Sequence, residues 1–255
     1  MTFDAWLSRF PLFLMVFSRC SGLLATAPVF ASRYIPPQIR AMLAMFMAAF
    51  CVPLVPSFPT FRSIGELVFC CVTEALIGLA TGYSASAVFS ALQVAGQILD
   101  MELGFGMVNV LDPQYGTPVP LLGNLYYLMA LLLVVSFGGD RIFLRGLVGS
   151  LTAVPPGSAL RPIDPGFGIS LMRGVLINAL RIAAPVLGVM FLVTVALGVI
   201  ARAVPQMNIF IVGMPAKVGV GLMVLAATLP LYAGLVENLV LEMQRVVDTL
   251  IRAMG

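Results

Sequence analysis

The sequence ARAVPQMNIFIVGMPAK, residues 201–217, interrupts a long apolar region. It contains the charges Arg202 and Lys217 and the helix-breaking residues Pro205 and Pro215. A membrane helix tolerates proline only where protein or water satisfies the freed backbone groups, and a charge at its centre costs about 2.5–3.5 kcal/mol on insertion scales. The stretch is therefore expected to form a kinked hairpin that is buried against protein.

The polar groups of this stretch need partners, because an unpaired charge in an apolar setting costs several kcal/mol even after relaxation. We predict that its polar and charged side chains are buried or lie at an interface: Arg202, Gln206, Asn208 and Lys217. The carboxylates that could pair with them stand elsewhere in apolar or glycine-rich segments: Glu74, Asp100, Glu102 and Asp112.

The composition is that of a membrane protein. Hydrophobic residues make up 60% and charged residues 10% of the chain, and the mean hydropathy is +1.06. Soluble domains average about 45–50% apolar and 25% charged residues. We therefore predict an all-α fold of membrane-associated helical hairpins with broken helices, in a single domain over residues 1–255. The net charge of +3 is scattered, with no basic run, so a nucleic-acid partner is not expected.

Apolar runs of roughly the 20-residue length of a membrane span, or longer, predict about six spans. They lie at 6–30, 41–61, 67–99, 113–139, 182–201 and 218–236; the first contains Arg9 and Arg19, the third contains Glu74, and the others are uncharged. With six spans, the excess of arginine on one side puts both termini in the cytoplasm.

The tail differs from the rest of the chain, because its apolar residues recur at three- and four-residue steps. The apolar face holds Val236, Leu239, Val240, Met243, Val246, Val247 and Leu250, and the other face holds Glu237, Glu242, Arg245, Asp248 and Arg252. This pattern predicts an amphipathic helix at about 236–252 that lies on a membrane or docks a partner.

A ridge of small residues follows a carboxylate at strict four-residue steps. Its members are Glu74, Gly78, Gly82, Ser86 and Ser90. Rows of small residues let membrane helices approach closely, so we predict helix packing at this ridge and not a pore wall. Glu74 is the exception, because a carboxylate in an apolar segment suggests a functional role.

The glycine-rich segment at 105–120 combines flexible backbone with bulky apolar side chains, which suits a constriction that seals and then deforms. Its candidate residues are Phe105, Met107, Val108, Val110, Leu111, Asp112 and Pro113. A plain surface loop is the alternative interpretation. Nearby, Asp100 and Glu102 are candidates for buried or interface charges.

Enzyme chemistry finds little support in the sequence. The chain has no histidine and no Gly-x4-Gly-Lys-Ser/Thr phosphate loop. We therefore expect no catalytic residue, no metal site and no cofactor.

Taken in order, a set of short motifs resembles the FliR family of flagellar export-gate subunits over essentially the whole chain. The motifs are Ala27-Pro28-Val29, Pro36, Glu74-x3-Gly78, Gly96-Gln97, Asp100, Gly104, Asp112-Pro113, Gly138-Gly139, Pro155-x-Gly157, Pro205-Gln206-Met207-Asn208 and Gly213-Met214-Pro215-x-Lys217. Asp140 departs from the pattern, since many members carry histidine there.

The resemblance implies a non-enzymatic subunit that joins FliP-like and FliQ-like subunits in a helical cone. This cone forms the closed channel through which unfolded protein substrates enter the export path. It also implies FlhB-like and FlhA-like partners, contact with membrane lipid, and a location in the bacterial inner membrane at the flagellar basal body. In this family the segment 105–120 resembles part of the internal constriction, and the broken hairpins pack against partner subunits, largely above the bilayer plane.

Two alternatives remain open. One is an export-apparatus subunit of the injectisome, which belongs to the same family. The other is a secondary transporter with broken helices and charges at the membrane midplane. Transporters usually show an internal repeat, and we find no convincing one between the two halves of this sequence.

Overall fold

The computed structural model describes residues 9–31, 35–55, 61, 63–105, 120–136, 138–158, 161–204, 206 and 208–255. Within these residues the regular structure is entirely helical, which confirms the predicted all-α membrane fold. The α-helices are α1 (Phe10–Thr26), α2 (Pro37–Cys51), α3 (Ile64–Leu103), α4 (Leu121–Ser136), α5 (Gly139–Ala153), α6 (Pro165–Ala203) and α7 (Ile209–Met254). A 3₁₀ turn, Val52–Leu54, follows α2.

The helix boundaries follow from local chemistry. Helices α2 and α6 begin with a proline, whose fixed φ suits the first helical position and whose missing N–H is not needed there. Helix α3 begins after Ser63, whose hydroxyl accepts a hydrogen bond of 3.2 Å from the N–H of Glu66. It ends before Gly104, whose φ of 86° is the left-handed conformation common just past a helix.

Four helical segments in the described part of the chain are long and apolar enough to cross a membrane: Pro37–Leu54, Ile64–Leu103, Pro165–Ala203 and Ile211–Met254. This is fewer than the six predicted from hydropathy. Helices α1 and α4 have 17 and 16 residues and fall short of the roughly 20 residues that a span needs. The predicted span at 218–236 and the amphipathic tail are parts of one helix, α7.

The chain divides into two compact units, each built from separate parts of the sequence. Unit 1 contains Met1–Val88, Gly138–Leu171 and Val240–Gly255, and unit 2 contains Phe89–Phe137 and Met172–Leu239. Helices α3, α6 and α7 each contribute residues to both. The single domain over 1–255 stays a prediction.

In unit 1, the fully buried face of α1 includes Leu12, Met15, Val16 and Cys20. The C-terminal part of α7 adds Val240, Met243, Val247 and Leu250. A Cβ on Gly146 of α5 would lie 3.2 Å from Val247 Cγ1. The tail was expected to lie on a membrane or to dock a partner, and that expectation is corrected here. Most of its apolar face is buried within the chain itself, and α5 supplies part of the covering surface.

In unit 2, the core is formed by the C-terminal part of α3 with α4, α6 and α7. Its buried residues include Phe89, Leu92, Leu99, Ala130, Val134, Val186 and Met190. The rings of Tyr126 and Tyr232 are 4.8 Å apart and tilted by 34°, and the hydroxyl of Tyr232 donates a hydrogen bond of 2.5 Å to the carbonyl of Tyr126. This bond satisfies the polar end of a buried tyrosine.

Candidate functional site

A buried ion pair joins α1 to α3 inside unit 1. The Nε of Arg19 donates to Oε2 of Glu74 at 2.5 Å, and the two side chains are 1% and 2% exposed. Arg19 is the largest residue among the fully buried side chains of the described residues. Ionised groups in apolar surroundings require such pairing, because an isolated buried charge is very costly.

The remaining donors of Arg19 cap the C-terminal end of α5. Its guanidinium donates to the carbonyl of Ser150 at 2.7 Å and to the carbonyl of Val154 at 2.9 Å. The last carbonyls of a helix have no partner within that helix, and the helix dipole makes this end negative. Arg19 therefore supplies, from α1, a positive charge at the C-terminal end of α5, which has no basic residue in its own last turn.

The second oxygen of Glu74 binds the turn that follows α5. Its Oε1 accepts a hydrogen bond of 3.0 Å from the N–H of Gly157. Gly157 has φ of 82°, a conformation that side chains other than glycine rarely adopt. One ion pair therefore fixes three elements of unit 1: α1, α3 and the α5 end with its turn.

Glycines bring the backbones of α1 and α3 into direct contact beside this pair. A Cβ on Gly78 would overlap the carbonyl oxygen of Arg19, and one on Gly82 would lie 2.6 Å from the carbonyl oxygen of Leu23. From the other side, a Cβ on Gly22 would overlap the carbonyl oxygen of Ala75. Backbone cannot move aside as a flexible side chain can, so this crossing requires glycine. Ser86 and Ser90, the later members of the ridge, are half-buried.

In unit 2, a second buried charge caps the beginning of α4. The N–H of Leu122 donates to Oδ1 of Asp100 at 3.0 Å, and the N–H of Gly123 donates to Oδ2 at 3.4 Å. These are the second and third residues of α4, the positions that an N-cap side chain normally serves. Pro120, which precedes the helix, has no side-chain acceptor. Asp100 supplies the cap from α3, and its negative charge suits the positive end of the helix dipole.

Close backbone contact accompanies this cap. A Cβ on Gly96 would overlap the backbone of Gly123, so α3 and α4 touch one turn before Asp100. In the sequence, the segment 105–120 follows the end of α3 and precedes the start of α4. Asp100 therefore ties together the two ends of the predicted constriction segment.

The first part of α7 also contacts the end of α3, which precedes that segment. The Nζ of Lys217 lies 3.8 Å from Oε1 of Glu102, and both side chains are partly exposed. The Cγ of Met214 lies 3.7 Å from the position of a Cβ on Gly104. A Cβ on Gly221 would overlap the side chain of Leu103. The motif with Gly213 and Lys217 thus lies beside the end of α3.

The other predicted site residues are not brought to these clusters. Arg202, Gln206 and Asn208 are exposed at the end of α6 and before α7, so within this chain they are not buried. Phe105 is half-buried. Several predicted constriction residues lie outside the described residues: Met107, Val108, Val110, Leu111, Asp112 and Pro113. Among the described residues, no three side chains of the His, Cys, Asp and Glu types come together to hold a metal ion.

Arg19 is the main site residue that sequence reasoning missed. The sequence predicts a cation of residues 201–217 as the partner of Glu74, whereas the structure pairs Glu74 with Arg19. The sequence carries the same kind of signal for Arg19 as for Glu74, since Arg19 is a lone charge within the apolar run of α1. A charge in such a run needs a partner of opposite sign.

Comparison with known proteins bears on the identity of the chain. The family model described as bacterial export proteins, family 1, matches residues 10–243. The flagellar biosynthetic protein FliR of Bacillus subtilis (strain 168) is 34% identical over 237 residues, which cover 90% of this chain and 90% of that protein. The FliR proteins of Escherichia coli (strain K12) and Pectobacterium carotovorum subsp. carotovorum are both 29% identical, over 94% and 95% of this chain and 93% and 94% of their own lengths. This chain therefore belongs to family 1 of the bacterial export proteins, the family of the flagellar biosynthetic protein FliR.

Proposed function

We propose that this flagellar export component is a non-enzymatic subunit of the export gate in the bacterial inner membrane, at the flagellar basal body. With FliP-like and FliQ-like subunits it would form the closed channel through which unfolded protein substrates enter the export path. FlhB-like and FlhA-like components would contact the same assembly. The observation that carries the proposal is the Asp100 cap, which ties together the ends of a glycine-rich, apolar segment.

Asp100 would give the predicted seal mechanical support. A segment that seals a channel must yield to a polypeptide without unfolding the helices that carry it. Asp100 fixes the start of α4 to α3, and Lys217 with Met214 supports the end of α3 from α7. Between these supports, residues 105–120 combine glycine with Phe, Met, Val and Leu. Apolar side chains crowded into a narrow passage exclude water and ions by dewetting.

Exposed apolar surface supports the role of a subunit. On α6, Phe191 and Leu192 are 66% and 65% exposed, and Val195 and Val199 continue the same surface. On the first part of α3, Val68, Phe69, Val72 and Leu76 are more than half exposed. Monomeric soluble proteins rarely show such contiguous apolar patches, which mark contacts with protein or membrane. The exposed Arg202 at the end of α6 would meet an acidic group of a partner subunit.

Co-purification tests this function directly. The tagged full-length chain would be expressed with FliP-like and FliQ-like subunits of its own bacterium and extracted in mild detergent. We expect all three chains to elute together at a constant ratio. An unrelated helical membrane protein with the same tag controls for non-specific capture. Elution of this chain as a stable lone monomer would contradict the proposal and favour a secondary transporter.

A further inference from the structure

Within unit 2, the first half of α7 is packed much less closely than the residues that follow it. We call residues 211–229 the arm of α7. Of the residues described there, only Gly213 and Gly221 are buried. Just beyond the arm, Tyr232 and Val236 are 3% and 0% exposed. Segments with few buried apolar contacts open at a low cost in free energy, so the arm is the part of α7 that can move.

Pro230 separates the arm from the buried part of α7. Proline has no N–H, so the carbonyl of Ala226, four residues earlier, lacks its usual helical donor. Sharp bends in helices occur at such positions. Two residues further on, the hydroxyl of Tyr232 donates a hydrogen bond of 2.5 Å to the carbonyl of Tyr126 on α4. A hinge at Pro230 would therefore adjoin a part of α7 that is fixed to α4.

The middle of the arm borders a groove and not a packed core. Leu222, Leu225 and Leu229 line this apolar groove of about 680 Å³, which lies between α4, α6 and α7. Leu125 and Met129 line it from α4. Because the groove lies between the helices here, the arm can bend toward α4 without rearranging the buried side chains of unit 2.

The far end of the arm is held by contacts with the end of α3, which we call the latch. Three arm residues at three- and four-residue steps provide it: Met214, Lys217 and Gly221. Lys217 pairs with Glu102 over 3.8 Å, and both side chains are partly exposed, which makes the pair weak. Gly221 lies against the fully buried Leu103. The latch is thus one weak ion pair with two small apolar contacts.

We propose that the arm is a hinged strap that rotates about Pro230 and whose latch holds residues 102–104 of α3 in the resting state. When the latch opens, the arm bends toward α4 and the end of α3 loses this support. That end directly precedes the predicted seal at 105–120, so the strap controls how firmly the seal is held. This control rests on the proposed export-gate function, whereas the rotation about Pro230 does not.

Pulsed electron paramagnetic resonance on the purified full-length chain in detergent tests the hinge. Spin labels are attached at Gly219→Cys, where a Cβ meets no atom within 4 Å, and at Leu132→Cys, which is 73% exposed on α4. The half-buried Cys70 and Cys71 are replaced by alanine. Gly219 lies about 16 Å of helix from Pro230, so a bend of about 20° moves its label by about 6 Å. We expect two label distances that differ by about this amount.

Replacing the proline should remove the second distance. Pro230→Ala restores the N–H donor for the carbonyl of Ala226, so we expect a single label distance. Pro215→Ala is the matched control, because Pro215 also lies inside α7 but beyond the label at Gly219. It should retain both distances. One and the same distance in the unchanged chain and in Pro230→Ala would overturn the hinge.

A disulfide tests whether the latch must open during export. A Cβ on Gly221 would lie 3.0 Å from Cγ of Leu103, which is one bond from Leu103 Cβ. The two Cβ atoms therefore suit the separation of about 3.5–4.5 Å in a disulfide. In cells with the complete complex, Leu103→Cys with Gly221→Cys should lose secretion after copper-phenanthroline oxidation and regain it with dithiothreitol. Each single variant is a control and should respond to neither reagent.

The two experiments can fail separately. Normal secretion by the cross-linked complex would show that the latch stays closed during export, which would overturn the control of the seal. Absence of FliP-like and FliQ-like subunits from the complex would contradict the proposed function, and the label distances would still decide the hinge. Should Leu103→Cys disturb folding, Glu102→Cys with Lys217→Cys and a bifunctional thiol reagent closes the same latch through partly exposed positions.

Discussion

Glu74 and Gly157, 83 residues apart in sequence, are joined by a hydrogen bond of 3.0 Å from the glycine N–H to the carboxylate. This contact brings together two motifs, Glu74-x3-Gly78 and Pro155-x-Gly157, that the sequence shows only as separate fragments. The same carboxylate holds Arg19, whose guanidinium caps α5. Arg19, Glu74 and Gly157 thus have a structural role, because their contacts hold three elements of unit 1 together.

Removing one member of this ion pair should destabilise the protein strongly. Glu74→Gln leaves the charge of Arg19 buried without a counter-ion, and breaking such a pair typically costs about 3–5 kcal/mol. We expect a clear decrease in the thermal unfolding temperature in detergent, followed by circular dichroism. Arg245→Gln, at an exposed position of α7, is the control and should leave the unfolding temperature unchanged.

A double variant distinguishes the effect of the ion pair on stability from the effect of each charge alone. Arg19→Met with Glu74→Leu leaves no lone charge, so it should recover part of the stability that each single variant loses. If Glu74→Gln unfolds at the same temperature as the unchanged protein, the pair is not a major source of stability.

The helix crossing at Gly78 should not tolerate a side chain. In Gly78→Ala the new Cβ meets the carbonyl oxygen of Arg19 and lies 2.9 Å from the backbone nitrogen of Leu23, so the helices must separate. Overpacking of this kind typically costs about 1–3 kcal/mol. The yield of intact complex should decrease, and secretion should decrease only in proportion to it.

Gly149→Ala is the matched control, because a Cβ at Gly149 would meet no atom within 4 Å and alanine favours the helix. A Gly78→Ala variant that assembles fully but no longer secretes would instead indicate a role for this ridge in the channel.

The sequence predicted the helical class because hydropathy and proline positions are local properties. It also identified Glu74 and Asp100, since each is a charge in or beside an apolar segment, and Gly78, since it lies on a ridge of small residues. It could not predict their partners. Arg19, Gly157 and Leu122 are distant in sequence, and the choice among several possible cations and helix ends depends on how the helices fold back. The amphipathic tail shows the same limit, because periodicity reveals an apolar face but not which surface covers it.

The ion pair between Lys217 and Glu102 should contribute little to stability and more to assembly. Partly exposed pairs contribute about 0–1 kcal/mol, and these two groups are 3.8 Å apart. Lys217→Ala and Arg202→Ala should each lower the yield of intact complex, with almost no change in the unfolding temperature of the isolated chain. Quantified co-elution of the FliP-like and FliQ-like chains measures this. Assembly of both variants at the normal level would show that these charges are solvated and not at an interface.

Loss of the Asp100 cap should loosen the support of the predicted seal. Asp100→Ala removes the acceptor for the N–H groups of Leu122 and Gly123, and loss of an N-cap typically costs about 0.5–2 kcal/mol. We expect an assembled complex with raised membrane conductance to small ions. Asp100→Asn retains an acceptor oxygen and should leak less. If both variants showed normal conductance, the Asp100 cap would have no role in sealing the channel.

The most direct test of the seal is deletion of residues 107–111, which removes Met107, Val108, Val110 and Leu111 but leaves Asp100, Glu102 and Lys217 intact. The supports on α3, α4 and α7 should still form, so the complex should assemble. Without the apolar side chains the passage is expected to stay hydrated, since dewetting requires apolar groups at the constriction. Conductance and sensitivity to small toxic solutes should rise, while secretion persists because the seal blocks the path without driving transport. A five-residue glycine-serine replacement of the same segment controls for loop length and should also leak. An assembled complex that remains tight in both variants would mean that the barrier lies in a partner subunit.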